Sequence, residues 1–237
     1  MEPLVNYFKG IEINSVLDIG TGSGAFLKVL NKIFPKAHIT GIDPNIESLE
    51  NARKFFPDVT FLEMEAGNMS FDDNMFDVVA ISMALHHLPK VKKALREMNR
   101  VVKPDGYVII SEIISNNLNP AQEVHKLFHH FRSRIDRLTG SFHRKTFSSD
   151  AILNLLKQTE LPVQFYFEHR SNMNLLEDDS ELEFKVERMR QMIEKIKGRP
   201  EYDLLYPQIE EFRKKAMEHG LQAPTKLVIV CRKKVLS

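Results

Sequence analysis

The chain has 237 residues, 43% hydrophobic and 27% charged, with 33 basic against 32 acidic side chains and a net charge of +1. That composition suits a soluble globular protein with a sizeable core, and it carries no global field that would attract nucleic acid or an anionic membrane. The single cysteine, Cys231, excludes an internal disulfide. No run is long and apolar enough to span a bilayer, and the N-terminus lacks the basic start and apolar stretch of a signal peptide, so a cytoplasmic location is expected.

In chain order, a short segment with Tyr7 and Phe8 precedes a first strand, Val16-Leu17-Asp18-Ile19. Three glycines at alternate positions follow, Gly20, Gly22 and Gly24, and then a helix is predicted from Ala25 to about Phe34, stopped by Pro35. An apolar run containing an acid, a glycine turn and a helix start mark the place where an α/β sheet meets a nucleotide-like ligand. Strand, helix and strand then alternate: Ala37–Asp43, Ile46 to about Phe55, Val59–Met64 and Phe76–Ser82. A crossover helix is predicted from about Pro89 to Val102, Lys103-Pro104-Asp105-Gly106 reads as a turn, and a fifth strand follows at Tyr107–Ser111. Such alternation with short joints means a parallel sheet covered on both faces.

Past Ser111 the rhythm changes. Asn119-Pro120 opens a long helix with Val124, Leu127, Phe128, Phe131, Ile135 and Leu138 on one face, and Gly140 stops it. A helix from Ser149 to about Glu160 and a sixth strand, Val163–Phe167, come next. A charged stretch then reads as a helical hairpin turning at Gly198-Arg199-Pro200. Its seams are Leu182, Val186, Met189, Ile193 and Ile196 in one arm and Leu205, Ile209, Phe212 and Ala216 in the other. The last strand is Thr225–Cys231.

The glycine turn is neither a dinucleotide fingerprint, which would place a glycine where Ala25 stands, nor a phosphate-binding P-loop, which requires a following Gly-Lys-Ser/Thr. Val-Leu-Asp-Ile-Gly-Thr-Gly-Ser-Gly resembles the first motif of class I S-adenosylmethionine-dependent methyltransferases of the small-molecule type. Gly41-Ile42-Asp43, Ala66-Gly67-Asn68, Phe76 through Leu88, Arg100 through Tyr107 and Phe147 through Phe167 continue the likeness in order. The resemblance implies an α/β fold with a doubly wound, seven-stranded, mainly parallel sheet in the Rossmann-like methyltransferase order. The seventh strand would be antiparallel between the fifth and sixth. The chain would then be a single methyltransferase domain, 1–237, with a helical lid insertion at 114–146 and the hairpin insertion at 171–222.

The same resemblance implies S-adenosyl-L-methionine as cofactor. Gly20, Thr21, Gly22 and Gly24 would shape the loop for its methionine portion, with Asp18 holding that region and Ser82 beneath it. Asp43 would take the ribose hydroxyls, Pro44 would pack near the adenine, and Asn68 with the Met69 backbone would read the adenine edge. Asn68 departs from the usual aspartate, although its amide oxygen can still accept.

The acceptor is less legible. His86 and His87 just past the fourth strand are the candidate bases. His87, His125, His129 and Arg132 are the candidate acceptor contacts, the last three sharing one helical face and read either as solvated or as an anion-binding lid. His125 and His129 have no clear third ligand, so no metal is expected. The fourth strand ends Ser82-Met83-Ala84-Leu85 rather than in Asn/Asp-Pro-Pro-aromatic, which argues against nucleobase or glutamine amides as acceptors. The expected function is in-line methyl transfer to a small or medium-sized acceptor. The alternatives are a methyltransferase of RNA or protein, or a non-catalytic S-adenosylmethionine-binding regulator acting through the hairpin, which could also join two copies.

Overall fold

A computed structural model describes residues 1–159, 161–171, 173–176 and 179–234. The elements in order are α1 (Glu2–Tyr7), β1 (Ser15–Ile19), α2 (Leu27–Ile33), β2 (His38–Asp43), α3 (Ile46–Phe55), β3 (Thr60–Glu63) and β4 (Phe76–Ser82). After a 3₁₀ turn at Leu85–His87 come α4 (Val91–Val101), β5 (Val102–Ile113), α5 (Pro120–Leu138), α6 (Ser149–Lys157) and β6 (Val163–His169). The chain then runs through α7 (Asp179–Glu194), α8 (Pro200–Leu205), α9 (Pro207–His219) and β7 (Lys226–Arg232). The sequence-based end of α6 near Glu160 falls outside the described residues.

The strands form one sheet in the order β3-β2-β1-β4-β5-β7-β6. β1 to β5 pair in parallel, with Asp18 level with Gly41 on one side and Ala80 on the other. β7 runs antiparallel: the Lys233 amide donates to the Gly106 carbonyl at one end, and the Ile114 amide donates to Thr225 at the other. The inserted seventh strand implied by the resemblance is therefore present.

The chain divides into two compact units, Met1–Glu112 with Asp150–His169 and Leu227–Ser237, and Ile113–Ser149 with Arg170–Lys226. In the first, Val16, Val78, Ala80, Ile109, Val228 and Val230 on the sheet pack with Leu27, Leu30, Leu49 and Ala52 from the helices. Apolar residues on both strand faces are what a sheet covered on both sides requires. Cys231 belongs to this interior; burial pushes its thiol up to about 12, which leaves it no nucleophilic character.

The predicted turn at Lys103–Gly106 lies inside β5. Phe76 is level with Val102 but Val78 is level with Tyr107, so the four turn residues bulge out of the ladder, with Asp105 at φ 61°. Asp77 anchors the bulge. Its Oδ1 accepts from Lys103 Nζ at 2.7 Å, while Oδ2 accepts the Asn14 and Ser15 amides at 2.9 and 2.8 Å. One carboxylate thus ties the entry of β1 to β4 and β5.

The second unit has its own core. Asn119 and Gln122 form a capping box that fixes the start of α5, with Pro120 in the first turn. Val124, Phe131 and Ile135 of α5 are buried with Leu182, Val186, Met189 and Ile193 of α7 and with Ile209, Phe212 and Ala216 of α9. The two insertions read from sequence, 114–146 and 171–222, therefore contribute to one shared core. The hairpin seam is spent inside that core. The second arm is broken where one continuous helix was predicted: Pro207 has no N–H to continue α8, so α9 starts there as a new helix.

Phe212 is fully buried at the centre of this cluster. Phe212→Ala should destabilise the second unit by about 3–5 kcal/mol, the usual cost of deleting a buried phenyl ring. Chemical denaturation followed by a probe placed in that unit checks it.

Candidate cofactor-binding site

The site is built at the C-terminal ends of the parallel strands. β1 ends in a loop whose three alternate glycines have positive φ: Gly20 at 65°, Gly22 at 51° and Gly24 at 87°. A Cβ on Gly20 would lie 2.6 Å from the Ala84 Cβ, and one on Gly24 would lie 2.6 Å from the Phe56 ring. Close packing and left-handed backbone together demand glycine there. The helix after the loop begins at Leu27, not at Ala25, because the chain first makes turns from Thr21 to Gly24 and from Gly24 to Leu27. α2 is only seven residues long and has no side-chain cap.

Asp18 is buried in β1, where its Oδ2 accepts from Thr21 Oγ1 at 2.7 Å. Burial pushes its carboxyl up to about 7, with the charge of Asp43 adding to the rise and the Thr21 hydrogen bond opposing it. Asp43 ends β2. Its Oδ2 accepts the Gly22 amide at 3.0 Å and its Oδ1 accepts the Asn45 amide at 2.9 Å, so it grips the glycine loop. Pro44 beside it is exposed.

Asn68 is exposed, and its amide donates to the Glu65 carbonyl. Met69 differs from expectation. Its amide donates to Glu97 Oε2 at 3.0 Å and its carbonyl accepts from Arg100 Nη2 at 2.8 Å, so its backbone is committed within the protein. Arg100 also donates to the Phe71 carbonyl and to Asp73, which clamps the loop that presents Asn68. The Arg100 hydrogen bond to Glu97 holds that carboxyl below its usual range.

Ser82 ends β4 level with Ser111 of β5, and Met83 follows at φ 56°. The two candidate bases separate: His86 is buried and His87 exposed. His86 Nδ1 lies 2.8 Å from Glu112 Oε1, and the His86 amide donates to Glu112 Oε2 at 3.3 Å. Glu112, fully buried at the end of β5, was missed in the sequence. Its signal is the one that marks Asp18: an acid inside an apolar run, here Val108-Ile109-Ile110-Ser111-Glu112-Ile113-Ile114.

The remaining acceptor candidates belong to the second unit. His125 and His129 are half-buried, while Arg132 is exposed with Nε 3.5 Å from Asp136. Burial, and secondarily the charge of Lys185, pushes the His125 imidazole down to about 4, so it is neutral at physiological pH. His125 therefore adds no positive charge to the face read from sequence, and Arg132 on that face lies against Asp136. A cavity of about 1460 Å³ is lined by Arg96, Pro104, Leu153, Leu161 and Lys233, and no residue of the glycine loop lines it.

A seven-stranded sheet of this order, with an acid before a three-glycine loop and a second acid ending β2, is the Rossmann-like methyltransferase fold. Residues 17–110 match the family described as "Methyltransferase domain". The chain is 33% identical over 143 residues to a demethylmenaquinone methyltransferase of Chlorobaculum tepidum, a match covering 60% of this chain and 58% of that protein. It thus spans less than two thirds of that relative's length. A demethylmenaquinone methyltransferase of Thermotoga maritima is 28% identical over 158 residues, covering 64% of this chain and 68% of that protein. In fold, a SAM-dependent methyltransferase of Methanosarcina mazei superposes with a TM-score of 0.63 at 19% identity, covering 100% and 99% of the two chains.

The buried Asp18 makes stability depend on pH. Its folded value of about 7 lies above the 3.8 of an ordinary aspartate, so the folded state keeps a proton that the unfolded state has lost. This contribution is fully present below pH 3.8 and disappears as pH rises to about 7, a loss of roughly 4 kcal/mol for the cofactor-free protein. Asp18→Asn, which can still accept from Thr21, should remove that decline. Unfolding free energies of both proteins from pH 4 to 8 check it; parallel curves would refute the assignment.

Proposed function

We propose that this chain transfers the methyl group of S-adenosylmethionine to a small aromatic acceptor bearing ring hydroxyls, of the reduced-quinone class. The observation that carries the cofactor half is the pair Asp18 and Asp43 beside the glycine loop. The names of the Chlorobaculum and Thermotoga relatives support the acceptor class.

Each oxygen of Asp43 accepts one backbone amide and keeps a lone pair, so the carboxylate can also receive the two adjacent ribose hydroxyls without releasing the loop. Asn68 Oδ1 accepts from the adenine amino group. The ammonium of the methionine portion, brought near Asp18, favours the ionised carboxylate, so cofactor binding expels a proton around neutral pH.

The sulfonium methyl is already activated, and the protein contributes positioning and exclusion of water. When bound, the cofactor would supply that methyl group to the electron-rich ring and keep the electron pair of the broken carbon–sulfur bond on its sulfur, which leaves this chain one task at the acceptor: to take the proton that the ring or its hydroxyl gives up. His86 is the base: with Nδ1–H donated to Glu112, the imidazole presents the lone pair of Nε2.

Asp43→Ala should weaken S-adenosylmethionine binding about 10- to 100-fold, the cost of one to two charge-assisted hydrogen bonds. His86→Asn should leave that affinity unchanged and lower kcat. Calorimetric titration and transfer of labelled methyl to a reduced, demethylated quinone analogue read the two effects. Label appearing only in RNA or protein fractions would overturn the acceptor class, and better thermal stabilisation by NAD would overturn the cofactor.

A further inference from the structure

We propose that His129 and His143 bind a divalent transition-metal ion of the zinc class through their Nε2 atoms, with Asp136 orienting His143. The sequence drew attention to His125 and His129, four apart on α5. The structure instead pairs His129 with a histidine fourteen residues on, because the segment after α5 folds back along the helix. The Nε2 atoms of His129 and His143 are 3.2 Å apart and their rings are nearly perpendicular, at 88°. Two imidazoles on one tetrahedral ion, each about 2.0–2.1 Å from it, have nitrogens about 3.3–3.4 Å apart. The observed spacing falls within about 0.2 Å of that.

The other nitrogen of His143 carries the second feature of a metal-binding imidazole. Its Nδ1 lies 2.7 Å from Asp136 Oδ2, and His143 is almost fully buried. A carboxylate on the far nitrogen fixes the tautomer, so that Nε2 presents its lone pair, and makes the ring a better donor. The position of His143 is held independently of any ion. Ser133 Oγ and Arg137 Nη1 both donate to its carbonyl, at 2.9 and 3.1 Å, and further along Ser115 donates its amide to the Phe147 carbonyl. His143 is thus held through its carbonyl and its Nδ1.

The 3.2 Å between the two Nε2 atoms is a hydrogen-bond distance without an ion and close to the bite of a shared ion with one. Two imidazoles fill half of a tetrahedral shell and leave positions for water or other oxygen or nitrogen donors. This assignment does not rest on the methyl-transfer reading, and it can fail or hold without it.

Cobalt(II) is the probe. The full chain, stripped with EDTA, should bind about one cobalt ion with a visible ligand-field spectrum that zinc then abolishes, and zinc should raise its melting temperature. His129→Ala and His143→Ala should each abolish the spectrum, Asp136→Asn should weaken binding 10- to 100-fold, and His125→Ala should change nothing. Circular dichroism of the metal-free variants separates lost binding from lost folding. If either alanine variant misfolds, the Asp136→Asn titration still decides. No cobalt spectrum in the wild type, or one that survives in the folded double variant His129→Ala/His143→Ala, overturns the proposal.

Discussion

Two carboxylates at neighbouring strand ends govern the first unit. Asp43 is fastened to the loop that ends β1, because its Oδ2 takes the Gly22 amide. Asp18 sits inside β1 and takes the Thr21 hydroxyl from beneath the same loop. A backbone with three left-handed glycines would lose conformational freedom at high cost unless something fixed it. The two acids fix it from both sides. They are also near enough that the charge of one raises the proton affinity of the other. The loop's shape therefore depends on two carboxylates that lie far apart in sequence but on neighbouring strands.

What could be read from the sequence follows from which interactions are local. Asp18 is legible because an acid in an apolar run has to be either paired or functional. The strand order follows from alternation and resemblance together. Glu112 carries the same signature as Asp18 and still escaped, because the fifth strand was ended at Ser111, one residue short of it. The bulge at Lys103–Gly106 shows the limit of turn chemistry. Its residues do turn, but Asp77, distant in sequence, holds them inside the ladder. The Met69 backbone is engaged by Glu97 and Arg100, residues about thirty positions away on α4, which nothing local in the sequence reports.

In the second unit the helical seams were plain from their spacing, since apolar positions at steps of three and four can only pack against another surface. Function was hidden for a different reason. Reading α5 as an isolated helix groups His125, His129 and Arg132 by angle alone. The partner that matters to His129 lies in irregular chain beyond the helix, where no periodicity reports direction. Burial then reverses the electrostatic reading, because a half-buried imidazole beside a lysine does not carry the charge that a surface helix would give it.

The sealed Cys231 has a practical consequence. A chain with one thiol, buried and held protonated near the end of β7, has almost no background reactivity toward maleimides or nitroxide reagents at neutral pH. Spin labels or fluorophores can be attached at introduced surface cysteines while the native residue stays in place. Distances within either unit, with and without ligands, then become measurable in an otherwise unaltered protein.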